Sequence, residues 1–175
     1  MAPPTLILAD PVMHRDALLR LNIEYMTWVT TEIGKSFGAS AANLNGMPVP
    51  EYVASVIDKV CGEAPPRGAF YLVEHDGALA GMGGLRRVRE GVAEVKRVYV
   101  RPAQRGKHLG EAILQRVLDD AAAFGYRSIV LDSAPFMQSA QRLYESVGFV
   151  DRPPYAETEV PPELHGVWRF MEREL

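Results

Sequence analysis

Two basic side chains and two glycines stand together at Arg105, Gly106, Lys107, His108, Leu109 and Gly110, between a β-branched stretch and a helical repeat. Val92, Val95, Val98, Tyr99 and Val100 read as a strand, which Pro102 ends because it has no N–H for the ladder. From Leu109 onward Ile113, Leu114, Val117, Leu118, Ala121 and Ala122 recur at helical spacing, with Glu111, Gln115, Asp119 and Asp120 on the opposite face. Residues 105–110 therefore open a helix, where the first N–H groups lack intrahelical partners and the helix dipole is positive. That is chemistry for holding an anion such as phosphate. A mononucleotide loop, G-x-x-x-x-G-K-S/T, is excluded by spacing and by the missing Ser or Thr. A dinucleotide fingerprint is excluded as well, because Gly81, Gly83 and Gly84 lead into Leu85, Arg86, Arg87, Val88 and Arg89, which do not read as a helix.

The elements that must carry this loop follow from periodicity and turn chemistry. Residues 5–9 read as a strand, and Asp10 with Pro11 reads as the start of a helix with Leu18, Leu21, Tyr25 and Trp28 on one face. Residues 34–50 are rich in Gly, Ala, Asn and Pro and read as an excursion, after which Pro50 opens a second helix ending before Gly62. Residues 69–74 and 78–88 are strands joined by a hairpin turn at His75, Asp76 and Gly77, and a second turn at Gly91 leads to the strand from Val92. Beyond Gly125, residues 128–131 form a buried strand, 137–147 a helix closed by Gly148, and 167–171 a strand, with one more expected near Phe149. The order β, α, α, β, β, β, α, β, α, β over 175 residues is a single α/β domain with a mixed, mostly antiparallel central sheet flanked by helices.

The run R-G-K-H-L-G is similar to the pyrophosphate-binding motif R/Q-x-x-G-x-G/A of the GNAT superfamily of acetyl-CoA-dependent N-acetyltransferases. Arg105 and Gly110 match its ends, and His108 replaces its middle glycine. A Cβ at that position is expected to keep the backbone out of positive φ and farther from the pyrophosphate. His108 then reads either as a phosphate contact or as an exposed first-turn residue. The segment 140–149, with Ala140, Leu143, Tyr144, Gly148 and Phe149, resembles the superfamily's A-x-x-L-Y-x-x-x-G-F. The resemblance implies a GNAT-like fold with acetyl-CoA as cosubstrate. It implies that Tyr144 is a general acid beside the sulfur, against the alternative of a half-buried core tyrosine. It also implies that Glu94 is a general base, against the alternative of a salt-bridge partner for a nearby Lys or Arg. The backbone of Val98, Tyr99 and Val100 is implied to pair with the pantetheine and the thioester carbonyl. Asp132, Ser133 and Ser139 fall where farther cofactor contacts would lie, and Glu24, Glu32 and Tyr155 are weaker candidates for the acceptor pocket.

A net charge of −3 and an isoelectric point near 5.8 argue against nucleic-acid or anionic-membrane binding and leave Arg86, Arg87 and Arg89 as a solvated hairpin face. Cys61 is the lone cysteine, and His14, His75, His108 and His165 lack ligand spacing, so no metal is expected. No signal peptide or membrane span is read, which makes the cytoplasm the default. Neither Cys61 nor any G-x-S-x-G elbow offers a nucleophile, so transfer is expected to pass directly to a primary amine of a small molecule in a ternary complex. A non-catalytic acyl-CoA sensor and a protein or peptide N-acetyltransferase are the alternatives, and a homodimer through strand edges would be unsurprising.

Overall fold

A computed structural model describes residues 3–175. The chain forms β1 (Thr5–Leu8), α1 (Arg15–Phe37), α2 (Val49–Cys61), β2 (Ala69–His75), β3 (Ala78–Arg89), β4 (Val92–Val100), α3 (Leu109–Ala123), β5 (Ser128–Ser133), α4 (Gln138–Ser146), β6 (Val150–Asp151) and β7 (Arg169–Glu174). The strands make one seven-stranded sheet in the order β1-β2-β3-β4-β5-β7-β6. Among the described residues only β4 and β5 run parallel, since α3 carries the chain back between them; every other pair is antiparallel.

Each face of the sheet is covered by the helices that the apolar stripes call for. Ile113, Leu114, Val117, Leu118 and Ala121 of α3 pack on Ala69, Tyr71, Leu85, Ala93 and Val95. On the other face Leu18 and Leu21 of α1 and Val53, Ile57 and Val60 of α2 pack on Phe70, Leu72, Met82 and Tyr99. A third cluster joins Val92 and Val130 to Tyr155, Val160, Leu164 and Phe170, so the Pro-rich loop before β7 roofs one end of the sheet.

β4 is not regular. Met82 pairs with Tyr99 and Gly84 with Lys96, leaving one extra residue on β4 opposite Gly83. The bulge falls at Arg97, whose φ is 50°. Gly83 is needed there, because a Cβ would lie 2.6 Å from Ile113 Cγ2 and 3.2 Å from Val98 Cα. The glycines of β3 thus let the bulged strand and α3 come close.

Three expectations are corrected. The first helix runs through Gly34 to Phe37, its last turn closed by Gly38 donating to the Gly34 carbonyl at 3.0 Å. Arg86 is buried rather than solvated, because Glu94 and Glu159 supply carboxylates for it, whereas Arg87 and Arg89 remain exposed. His108 does adopt positive φ, 57° with ψ 20°, as the residue capping α3. Histidine is among the side chains that enter this region more readily, and a single left-handed residue costs only ~1–2 kcal/mol. The loop therefore keeps a glycine-like path.

Candidate active site

The bulge turns β4 away from β5. The two strands pair only at Val92–Ser128, Ala93–Ile129 and Glu94–Val130, while β5 continues beside β7 as far as Ser133–Arg169. Beyond Glu94 the β4 edge that faces β5 has no strand partner, and apart from the Val100 carbonyl, which accepts from Arg105 Nε, its N–H and C=O groups are open to a ligand. A cavity of about 310 Å³ occupies the opening. Val95, Val98, Val100 and Leu131 form its floor, with Gly110, Ala140, Leu143 and Tyr144 on one side and Tyr25, Trp28, Arg97 and Asp132 on the other.

Tyr144 lies on α4, 7% exposed, its ring centroid 5.8 Å from that of Phe149. Its hydroxyl has no hydrogen-bond partner among the described residues and faces the cavity. Burial raises its pKa well above the ordinary phenol value, with the nearby Tyr25 and Asp132 adding to the rise, so the proton is retained at neutral pH. Tyr25 across the cavity is pushed up to about 12 by burial, lowered in turn by Arg97 and raised by Asp132.

Glu94 is fully buried and lies outside the cavity lining. It accepts from Arg86 Nε at 3.0 Å and Tyr155 Oη at 2.6 Å, and pairs with Lys96 Nζ at 3.1 Å. The salt-bridge alternative therefore describes its contacts, with Arg86 of β3 and Lys96 of β4 as the partners. Glu159 closes the cluster through Lys96, Arg86 and Lys59. Burial alone would raise the Glu159 carboxyl, but Lys96, Lys59 and Arg86 outweigh it and hold it at about 2.

Asp132, at the end of β5, is the carboxylate that does line the cavity. Trp168 Nε1 donates to its Oδ1 at 3.2 Å, and Tyr155 Oη lies 3.2 Å from its Oδ2. Burial raises its pKa; Lys96 opposes the rise and Glu94 adds to it. Tyr155 has one hydrogen, and the 2.6 Å contact to Glu94 claims it. The Tyr155 oxygen is then free to accept, so Asp132 Oδ2 is placed to bind and hold a proton.

At the helix start, Gly106 and the N–H groups of the first turn of α3 are open, while the side chains point elsewhere. Arg105 lines the cavity mouth, donating through Nε to the Val100 carbonyl at 3.1 Å with its guanidinium 5.8 Å from the Trp28 ring centre. Lys107 turns toward the hairpin, donating to Gln104 Oε1 at 2.9 Å and lying 3.6 Å from Asp76. His108 is exposed beside Glu111 at 2.9 Å, and the Leu109 side chain is core. Ser139 is exposed at the cavity rim and accepts from Arg142 at 3.1 Å. Of the weaker candidates, Tyr155 is the phenol between Glu94 and Asp132, and Glu24 pairs with Arg101 at 2.6 Å. Glu32 pairs with Lys35 away from the cavity.

Sequence reasoning passed over Arg97, Phe136 and Trp168 and placed Asp132 with the cofactor. A signal was present for Asp132 alone, since ligands in α/β sheets gather at strand C-termini where neighbours diverge. Among the described residues no group of three or more His, Cys, Asp or Glu side chains could hold a metal ion, and no helix is long and apolar enough to cross a membrane.

A sheet opened between its two parallel strands, with a helix N-terminus at one end of the gap and a tyrosine at the other, defines an acyl-CoA N-acyltransferase fold. The chain belongs to the acetyltransferase (GNAT) family, whose model matches residues 43–149. An IAA acetyltransferase of Azospirillum brasilense is 32% identical over 113 residues, 64% of this chain and 71% of that one. An uncharacterized N-acetyltransferase of Schizosaccharomyces pombe is 35% identical over 99 residues, 55% of this chain and 61% of that one. Among solved structures, the PaiA N-acetyltransferase of Thermoplasma acidophilum in complex with coenzyme A superposes with a TM-score of 0.68 at 16% identity, covering 99% of this chain and 100% of that one. At that identity the likeness is one of fold.

Proposed function

We propose that the protein moves the acetyl group of acetyl-CoA directly to the primary amine of a small molecule, within a ternary complex. The observation that carries this reading is the β4 edge from Val95 to Val100, without a strand partner, lying opposite the unpartnered Tyr144 hydroxyl. The pantetheine amides would pair with that edge, as a β-strand would, and an N–H near Val98 would stabilise the oxyanion of the tetrahedral intermediate. Gly106 and the first turn of α3 would hold the pyrophosphate through backbone N–H groups, with Arg105 swinging from its Val100 contact to add charge.

In the transfer, the neutral amine attacks the thioester carbonyl and forms the C–N bond. The C–S bond then breaks and its electron pair leaves on sulfur. The proton lost by nitrogen goes to Asp132 Oδ2, where the Tyr155 oxygen accepts a hydrogen bond from it. Glu94 acts through Tyr155: by holding the phenolic hydrogen it keeps the Tyr155 oxygen turned to Asp132. Tyr144 stabilises the departing thiolate by donating a hydrogen bond. Cys61 supports no acyl-enzyme route, since it is buried beside Asn22 with its thiol pushed up to about 12 by burial.

Initial velocities measured across both substrates test the ternary complex. Intersecting lines in the double-reciprocal plot are expected, and parallel lines, the mark of a covalent intermediate, would refute it.

A further inference from the structure

Arg97 is not used by this mechanism. It stands on the β4 bulge, half-buried, and lines the same cavity from the α1 side. Most cations near it are matched, Arg86 and Lys96 with Glu94 and Arg101 with Glu24, while Arg105 at the cavity mouth donates to the Val100 carbonyl. Arg97 has no carboxylate at ion-pair distance among the described residues. It donates only to the Asn22 amide oxygen, at 2.7 Å, with its guanidinium 5.7 Å from the Tyr25 ring centre. A partly desolvated guanidinium left without an anion is costly unless a ligand supplies one.

We infer that the acceptor is a small α-amino acid with an apolar side chain, its carboxylate taken by Arg97 and its amino group placed at Asp132. The inference rests on the transferase reading and names the substrate class of the same site. Arg97 and Asp132 line the same cavity together with Tyr25, so a positive and a negative group are presented to one space, the complement of an amino carboxylate. A guanidinium fork matches a carboxylate in a bidentate way. The cofactor's phosphates are accounted for at the α3 N-terminus, on the other side of the cavity. The side chain has a ready surface, because Tyr25, Trp28 and Phe136 line the cavity as an aromatic wall with successive ring centroids 6.1 and 5.5 Å apart, backed by Trp168 at 6.5 Å from Phe136. A cavity of about 310 Å³ shared with the pantetheine end suits a small acceptor.

The test compares phenylalanine, leucine and methionine with their amides and with the matching decarboxylated amines, in the wild type and in Arg97→Gln and Arg97→Lys. Thiol release gives kcat/KM, and thermal shift with coenzyme A present gives acceptor binding. The free acids are expected to exceed the amides in kcat/KM by on the order of 10- to 100-fold. Arg97→Gln abolishes that preference and Arg97→Lys restores part of it. Equal use of acids, amides and decarboxylated amines by the wild type would overturn the inference while leaving the transferase standing. Conversely, amino acids that stabilise the wild type but not Arg97→Gln, with no amine acetylated, would support the anion site and remove the transferase reading.

Discussion

Replacing Tyr144 by Phe removes one hydroxyl from the cavity wall and leaves the ring that packs on Phe149. The hydroxyl has no protein partner, so nothing buried is orphaned, and the fold should change by less than ~0.5 kcal/mol. The kinetic effect follows from what Tyr144 can do. Even an ordinary phenol, pKa ~10, gives its proton to a thiolate of pKa ~8.5 only uphill, by ~2 kcal/mol, and burial raises Tyr144 further. Tyr144 therefore contributes a hydrogen bond to the departing sulfur rather than a completed transfer. A hydrogen bond to a charged group is worth ~1.5–3 kcal/mol, which converts to a fall in kcat of about 10- to 150-fold. Acetyl-CoA affinity should hold within about twofold, since the uncharged thioester makes little use of the donor. Thiol release at saturating acceptor, with calorimetric titration of acetyl-CoA, measures both quantities. A kcat within twofold of wild type, or a loss that appears equally in affinity, would exclude a hydrogen bond from Tyr144 to the departing sulfur.

Asp132→Asn should lower kcat/KM by about 10²- to 10⁴-fold and remove the acid limb of its pH profile, and an acid limb unchanged in the variant would reassign the base. The stability effect has the opposite sense. The folded pKa of Asp132 is raised by burial, so wild-type stability falls as pH rises through it, and melting curves of Asp132→Asn should lack that loss. Glu159, held at about 2 against an ordinary 4.5, contributes stability that is present above 4.5 and lost as pH falls toward 2; Glu159→Gln should flatten that stretch of the acid melting profile. His108→Gly relieves the 57° φ and should stabilise the fold by ~1 kcal/mol, a rise in Tm of roughly 2–4 °C, and a lower Tm would show that the side chain is needed there.

The parts of the fold set by local chemistry could be read from residue order. Asp76 and Gly77, both at positive φ, make the hairpin turn their types call for, and the stripe from Leu109 to Ala121 lies on the sheet as its spacing requires. The placement of Tyr144 at the cavity was legible for a similar reason, since Leu143, Gly148 and Phe149 belong to one local motif. The placement of Glu94 away from it was not. Alternation with Val95 says that the two face opposite sides of the sheet but not which side opens as the cavity, and that depends on where β4 leaves β5. The departure is caused by one extra residue opposite Gly83, which no pattern along β4 displays. Asp132, Tyr155 and Trp168 meet from segments 13 to 36 positions apart, counted between their numbers, and only the return of the last loop over β5 brings them together.

The most direct test is thiol release from acetyl-CoA over a pooled panel of amino acids, polyamines, aryl amines and short peptides, with Asp132→Asn and Tyr144→Phe in parallel. Release well above hydrolysis is expected in a pool of small amines, with an acetylated amine as the product and loss in both variants. Release that the variants retain, or no release from any pool while acetyl-CoA still raises the melting temperature, would contradict it.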